Sequence, residues 1–140
     1  MPVLEQVLEK NPKTVKIIFK NFPIRSHNFA IQAALAALAA ERQGKFWDFH
    51  DELFKQYNTL NEEKVQVIAA KLKLDKAQFE KDRKDPLLLE QIKYDYNEGI
   101  RIGVRSVPSV FVNGRKLKDN SLKGFQALID KELESLNQKK

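Results

Sequence analysis

The chain has no cysteine among its 140 residues. That excludes disulfides, thiolate metal sites and thiol catalysis by its own side chains. It has only two histidines, His27 and His50, too few for a multi-histidine metal site. Long apolar runs are also missing. The longest, "AALAALAA" (Ala33 to Ala40), is too short and too alanine-rich to span a bilayer, so no membrane span is expected. The opening segment "MPVLEQVLEKNPK" lacks a basic stretch followed by an apolar one, so the chain as given carries no secretory signal.

What is present describes one globular α/β domain, residues 1–140. Hydrophobic residues make up 42% and charged residues 31%, which separates the chain from disordered sequences. The formal net charge of +6 raises nucleic acid as a partner. However, the lysines interleave with acids, as in "EEKVQVIAAKLKLDKAQFEKDRKD" (Glu62 to Asp85), the pattern of solvated helix faces. Nucleic acid is therefore not expected as a ligand. A nucleic-acid binder would show affinity that falls steeply with salt.

Pro2 suits a first helical turn, and Val3, Leu4, Val7 and Leu8 share one helical face until Asn11-Pro12 stops it. "TVKIIFKNFP" (Thr14 to Pro23) reads as an interior strand, with Val15, Ile17 and Phe19 on one face and Ile18 on the other. A helical region is expected from about Ser26 to Gly103. Ser26 stands at the start of an alanine-rich helix that Gly44 breaks. "KFWDFHDELFKQY" follows, carrying Phe46, Trp47, Phe49, Leu53, Phe54 and Tyr57, of which the cluster Phe46, Trp47, Phe49 and Phe54 reads as core of this region. Asn61, Asp75 and Asp85-Pro86 open three further helices. Gln78 sits at a capping-box position, Leu74 and Phe79 at staple positions, and Gly103 at a helix end.

"SVFVNGRKLKD" is a hairpin, because Asn113-Gly114 between apolar and basic runs favours a two-residue turn. Ser121 caps a last helix with Phe125, Leu128, Ile129 and Leu133 inside. Pro108 stands at the mouth of the first hairpin strand. An ordinary trans proline there loses nothing by lacking an N–H. A cis bond is also accessible, since the X–Pro trans preference is only about 0.5–1 kcal/mol. It would turn the chain and leave the backbone of Val107 open to an extended peptide.

The order of these elements, with "KNFPIRSH" (Lys20 to His27), "AALAALAAERQGKFWDFHDELF" (Ala33 to Phe54) and "GVRSVPSVFVNGR" (Gly103 to Arg115), resembles the DsbA-like thiol–disulfide oxidoreductases. The resemblance covers nearly the whole chain. It implies a thioredoxin-like sheet with a helical insertion at about 26–103, and a periplasmic or other extracytoplasmic location. It implies no cofactor, and extended peptide or protein substrates held at a cis-proline loop formed by Val107 and Pro108. In that family a Cys-x-x-Cys pair at a helix N-terminus does the chemistry. The pair precedes the segment that looks like "PVLEQVL", so this chain resembles a member lacking the N-terminal strand and the start of its active-site helix. No catalytic residue is therefore expected: serine and histidine do not exchange disulfides. The other reading is a naturally cysteine-free thioredoxin-like module that binds peptides or a partner protein.

His27 and His50 read as packing or helix-end residues, and Asp48, Asp51 and Glu52 as a solvated acidic face. With no strand ahead of the first helix, an open sheet edge is expected to promote self-association.

Overall fold

The computed structural model describes residues 2–24 and 29–138. Ser26 and His27 lie outside the described residues, and the helix that Ser26 was expected to cap begins at Ala30. The chain forms two compact units. One comprises Met1–Phe19 and Val104–Lys140, the other Lys20–Gly103.

The second unit is helical. Helix α2 (Ala30–Glu41) lies at its centre, packed by α3 (Phe46–Lys55), α4 (Glu62–Lys71), α5 (Lys76–Arg83) and α6 (Pro86–Arg101). Apolar residues on nearly every side of α2 dictate that place, and alanines let neighbouring helices approach closely. Ala36, Ala39 and Ala40 are fully buried, as is Phe49 beside them in the same core with Phe79, Val65 and Ile68. Three of the surrounding helices, α4, α5 and α6, start where the sequence provides an acceptor for orphan N–H groups, whereas α3 has no side-chain cap. Asn61 Oδ1 accepts from Lys64 N at 2.9 Å, Asp75 Oδ1 from Gln78 N at 2.9 Å, and Asp85 Oδ1 from Leu87 N at 2.9 Å. Only that Asp75–Gln78 N bond of the capping box forms: the Gln78 side chain donates instead to Asp82 Oδ1 at 2.9 Å, and Asp75 N donates to Gln43 Oε1 at 2.8 Å. Leu74 and Phe79 both join the core, as a staple requires. Gly103, with φ +89°, ends the run of helices just after α6.

Phe46, Trp47, Phe49, Leu53, Phe54 and Tyr57 divide instead of forming one core. Phe49 and Leu53 are buried, whereas Trp47, Phe54 and Tyr57 lie on the surface. Six apolar residues in twelve exceed what one stripe of a helix can bury, so the remainder face outward.

The first unit packs α1 (Pro2–Lys10) and α7 (Leu122–Gln138) around Val7, Leu117, Phe125 and Ile129. Strands β1 (Phe111–Val112) and β2 (Arg115–Lys116) pair antiparallel, Phe111 opposite Lys116 and Val112 opposite Arg115. Asn113 (φ +49°) and Gly114 (φ +83°) form the left-handed turn that the Asn-Gly signal demands. Asn11 ends α1 and exchanges two side-chain hydrogen bonds with Gln126 of α7, at 2.8 and 3.0 Å. Nothing in the local sequence announces that amide pair, whose members are 115 residues apart.

One expected element is absent. Thr14 to Pro23 forms no strand; residues 15–24 belong to no helix or ladder. The alternation survives in part, with Val15 and Ile17 half-buried and Lys16 and Ile18 exposed. A period of two makes a segment strand-like, but a strand exists only when a neighbour completes its ladder. Among the described residues none does. The expected cover on both faces is missing as well, since Ile18 is 66% exposed.

Candidate functional site

The proline loop rises from Val104, which is buried, into Arg105 to Pro108, which are exposed. The Val107-Pro108 peptide bond is cis. The Ser109 hydroxyl donates to the Ser106 carbonyl at 2.7 Å and closes the loop around that bond. From Val110 onward the chain is fixed by the hairpin: its carbonyl accepts from Leu117 N at 2.8 Å. Val110 and Val112 rest on the core of Val7, Phe125 and Ile129. An ion pair ties the hairpin to α7, with Arg115 Nε 2.7 Å from Glu132 Oε1 in a geometry that is not an aligned hydrogen bond.

This anchoring determines which groups face outward. Backbone direction alternates along an antiparallel strand, so the Val110 and Val112 groups point toward β2 and those of Phe111 point the opposite way. Val107 is 45% exposed, and its N–H and C=O have no partner among the described residues. The site therefore offers unpaired main-chain donors and acceptors beside a ring that cannot donate. That arrangement can hold an extended backbone; it contains no nucleophile, acid or base.

The other candidate residues serve structure. His50 is 6% exposed, with the rings of Trp47 and Phe54 at 5.4 and 4.4 Å between centroids. Burial pushes His50 below its ordinary pKa, and Asp51 Oδ1, 3.4 Å from Nδ1, pulls the other way. Asp48 pairs with Lys45 at 3.8 Å. Glu52 bridges Lys55 and Lys71, each at 2.9 Å, and these hydrogen bonds hold its carboxyl below the usual range. No cluster of three His, Asp or Glu residues suited to a metal exists among the described residues. An open cleft of about 230 Å³ in the helical unit is lined by Gln32, Leu35, Glu62, Glu80, Arg83 and Lys84. Its guanidinium is already taken, Arg83 meeting both oxygens of Glu62 at 2.6 and 2.7 Å.

Sequence reading named Val107 and Pro108 but not the groups that brace them. Ser106 and Ser109 were legible in principle, because a hydroxyl three residues after a carbonyl commonly closes a turn. Glu132 was not, since only the packing of α7 brings it to Arg115.

A family model described as thioredoxin matches residues 2–131. The chain belongs to the thioredoxin family. It is 30% identical over 137 residues to the probable disulfide bond formation protein D of Bacillus anthracis, and 29% identical to that of Bacillus cereus. The match takes in 92% of this chain but 62% of either relative's length. A Na(+)/H(+) antiporter NhaA from Herminiimonas arsenicoxydans is 35% identical over 86 residues, 61% of this chain and 14% of that protein. The crystal structure of a thioredoxin-like oxidoreductase from Silicibacter pomeroyi superposes with a TM-score of 0.82 at 25% identity, covering 96% of this chain and 77% of that one. The fold of this thioredoxin-family chain is thus thioredoxin-like, with a small sheet and a large helical part. None of its described helices is long and apolar enough to cross a membrane.

Proposed function

We propose that this thioredoxin-family chain is DsbA-like, one domain over residues 1–140 with its helical insertion at about 26–103. In this reading it works in the periplasm or another extracytoplasmic space on protein substrates. Val107 and Pro108 bind the extended backbone of those substrates. The observation that carries the reading is the exposed, unpaired backbone of Val107 beside the Pro108 ring at the head of β1. Thiol–disulfide exchange is the parent chemistry, and the chain's own contribution is binding, because it has no cysteine to form a mixed disulfide. The same reading gives the chain self-association through open backbone edges.

Two measurements test this. The 140-residue chain should not accelerate insulin reduction by dithiothreitol; clear acceleration would refute the need for a dithiol. Pro108→Ala should weaken binding of an unfolded-protein peptide by about tenfold, as expected when a main-chain clamp loses its shape. Unchanged affinity would remove the loop from the site. A cysteine-free natural binder is separated from a longer oxidoreductase by intact mass from the natural source. A mass of 16.2 kDa without thiols supports the former, and a greater mass with two alkylatable thiols the latter.

A further inference from the structure

We infer that the clamp at Val107 and Pro108 selects peptides that carry a carboxylate, and that Arg105 is the residue that reads it. The inference rests on the peptide-binding reading of this loop and adds the selectivity that reading lacks. Main-chain pairing is nearly blind to sequence. A clamp of N–H and C=O groups therefore discriminates only through the side chains around it.

Those side chains carry one sign of charge. From Val104 to Lys118 the chain has Arg105, Arg115, Lys116 and Lys118 and no acidic residue. Arg115 is committed to Glu132 at 2.7 Å, and the next acid along the chain, Asp119, accepts from Ser121 N at 2.9 Å. Arg105, Lys116 and Lys118 are exposed, and none of them forms an ion pair among the described residues. Arg42, Arg83 and Arg115 each grip a carboxylate of the chain itself; Arg105 holds none.

Position singles out Arg105 among the three open cations. Val104, 8% exposed, anchors the foot of the loop, and Arg105 follows it. Arg105 stands two residues before Val107, so covalent geometry alone holds their Cα atoms within about 7 Å. That is the step between side chains on one face of an extended peptide. A peptide paired with Val107 therefore brings a neighbouring side chain within reach of the guanidinium. A carboxylate there would fill the planar fork with two parallel hydrogen bonds, whereas a lysine would meet like charge. Lys116 and Lys118 stand at the other foot of the loop, where Leu117 N donates to the Val110 carbonyl at 2.8 Å. They strengthen the positive field without adjoining Val107. The occupant is thus an extended stretch of unfolded protein bearing aspartate or glutamate.

The test uses short capped peptides, free of cysteine and alike except for a single glutamate, glutamine or lysine moved stepwise along them. Binding to the full chain is read by fluorescence anisotropy at low salt. At one register glutamate should bind about three- to fivefold tighter than glutamine, with lysine the weakest, and high salt should erase the difference. Arg105→Gln should bring the glutamate peptide to the level of the glutamine one, and Arg105→Lys should restore part of the preference. Lys116→Gln combined with Lys118→Gln should lower the preference by less than Arg105→Gln does. All these positions are exposed, and far-UV circular dichroism checks that the variants fold. Equal binding of the three peptides at every register, with Pro108→Ala still weakening them, would overturn this inference and leave the clamp standing. So would a preference that survives Arg105→Gln, or one that falls as far in the lysine variant. If Pro108→Ala changes the affinity of no peptide, the clamp itself is refuted, and this inference with it.

Discussion

The two units of this chain solve burial differently. Among the described residues, the helical unit buries fourteen in one cluster, six of them the small or branched residues between Ala33 and Ala40 of a single helix. The core cluster of the other unit has four buried members, Val7, Leu117, Phe125 and Ile129, and relies on a rim of half-buried valines and leucines. Burial scales with how many elements surround a centre. Helix α2 has neighbours on several sides, whereas α1, α7 and a hairpin of two-residue strands form only a thin layer. The unit with the thinner core carries the open backbone, and local opening is cheapest where few apolar contacts resist it. Function of the kind proposed here belongs on that side of the comparison.

The largest expected effect probes the two cores directly. Phe49→Ala empties a fully buried site and should destabilise the helical unit by about 3–5 kcal/mol. Phe125→Ala should cost less, because half-buried neighbours on the rim can move into the space. Urea unfolding followed by Trp47 fluorescence for the helical unit, and by hydrogen exchange of the α7 amides for the other, separates them. Equal losses would erase the contrast between the cores.

A smaller effect is expected at Gly124 in α7. A Cβ built there would collide with the Asp119 carbonyl oxygen, a backbone atom that can yield only if the turn before the helix shifts. Gly124→Ala should therefore cost about 1–3 kcal/mol in thermal unfolding, although alanine ordinarily favours a helix. A gain in stability would mean that the turn at Asp119 is free to rearrange, and the thin unit softer still.

The smallest effects are those of pH, and they fall on the helical unit. Arg83 grips both oxygens of Glu62 and, with Gln66 helping, lowers its pKa from 4.5 to about 2. As the pH falls below 4.5 the unfolded chain takes up this proton first. The stabilisation is complete above that value and is lost as the pH falls through about 2. Glu62→Gln should flatten this limb of the acid-unfolding curve, modestly because the carboxylate is largely exposed. His50 acts at higher pH in the same direction. Its folded pKa is below the ordinary 6.5, so stability declines as the pH falls from 6.5 through the folded value. His50→Phe should remove that decline; an unchanged curve would show that His50 is not held neutral by its aromatic surroundings.

Legibility in the sequence followed the range of the interactions. The caps at Asn61, Asp75, Asp85 and Ser121 were readable because cap and donor lie within three residues, as in Ser121 Oγ accepting from Gly124 N at 3.1 Å. The Asn-Gly turn was readable for the same reason, whereas Val107-Pro108 became a candidate site through the family resemblance, since its place before an apolar strand equally suits an ordinary trans proline. The strand expected at Thr14 to Pro23 failed on a nonlocal condition, the presence of a pairing neighbour. Instead, Asn21 fastens this stretch through its backbone and side-chain N–H groups, both donating to Asp95 Oδ2 at 3.1 Å, and Phe22 stacks on Tyr96 at 4.6 Å. Asp95 gave no local sign of that role.

The sequence by itself determined the helices, their caps, the hairpin turn, the absence of a dithiol and the thioredoxin resemblance, because each rests on residue identity or on periods of a few positions. Tertiary structure alone decided which aromatic residues of α3 are buried, which carboxylates hold lysines and arginines, and that Lys16 to Ile18 remain unpaired. Those outcomes depend on what lies across space from each residue, and pairing partners tens of residues away leave no mark on the local pattern.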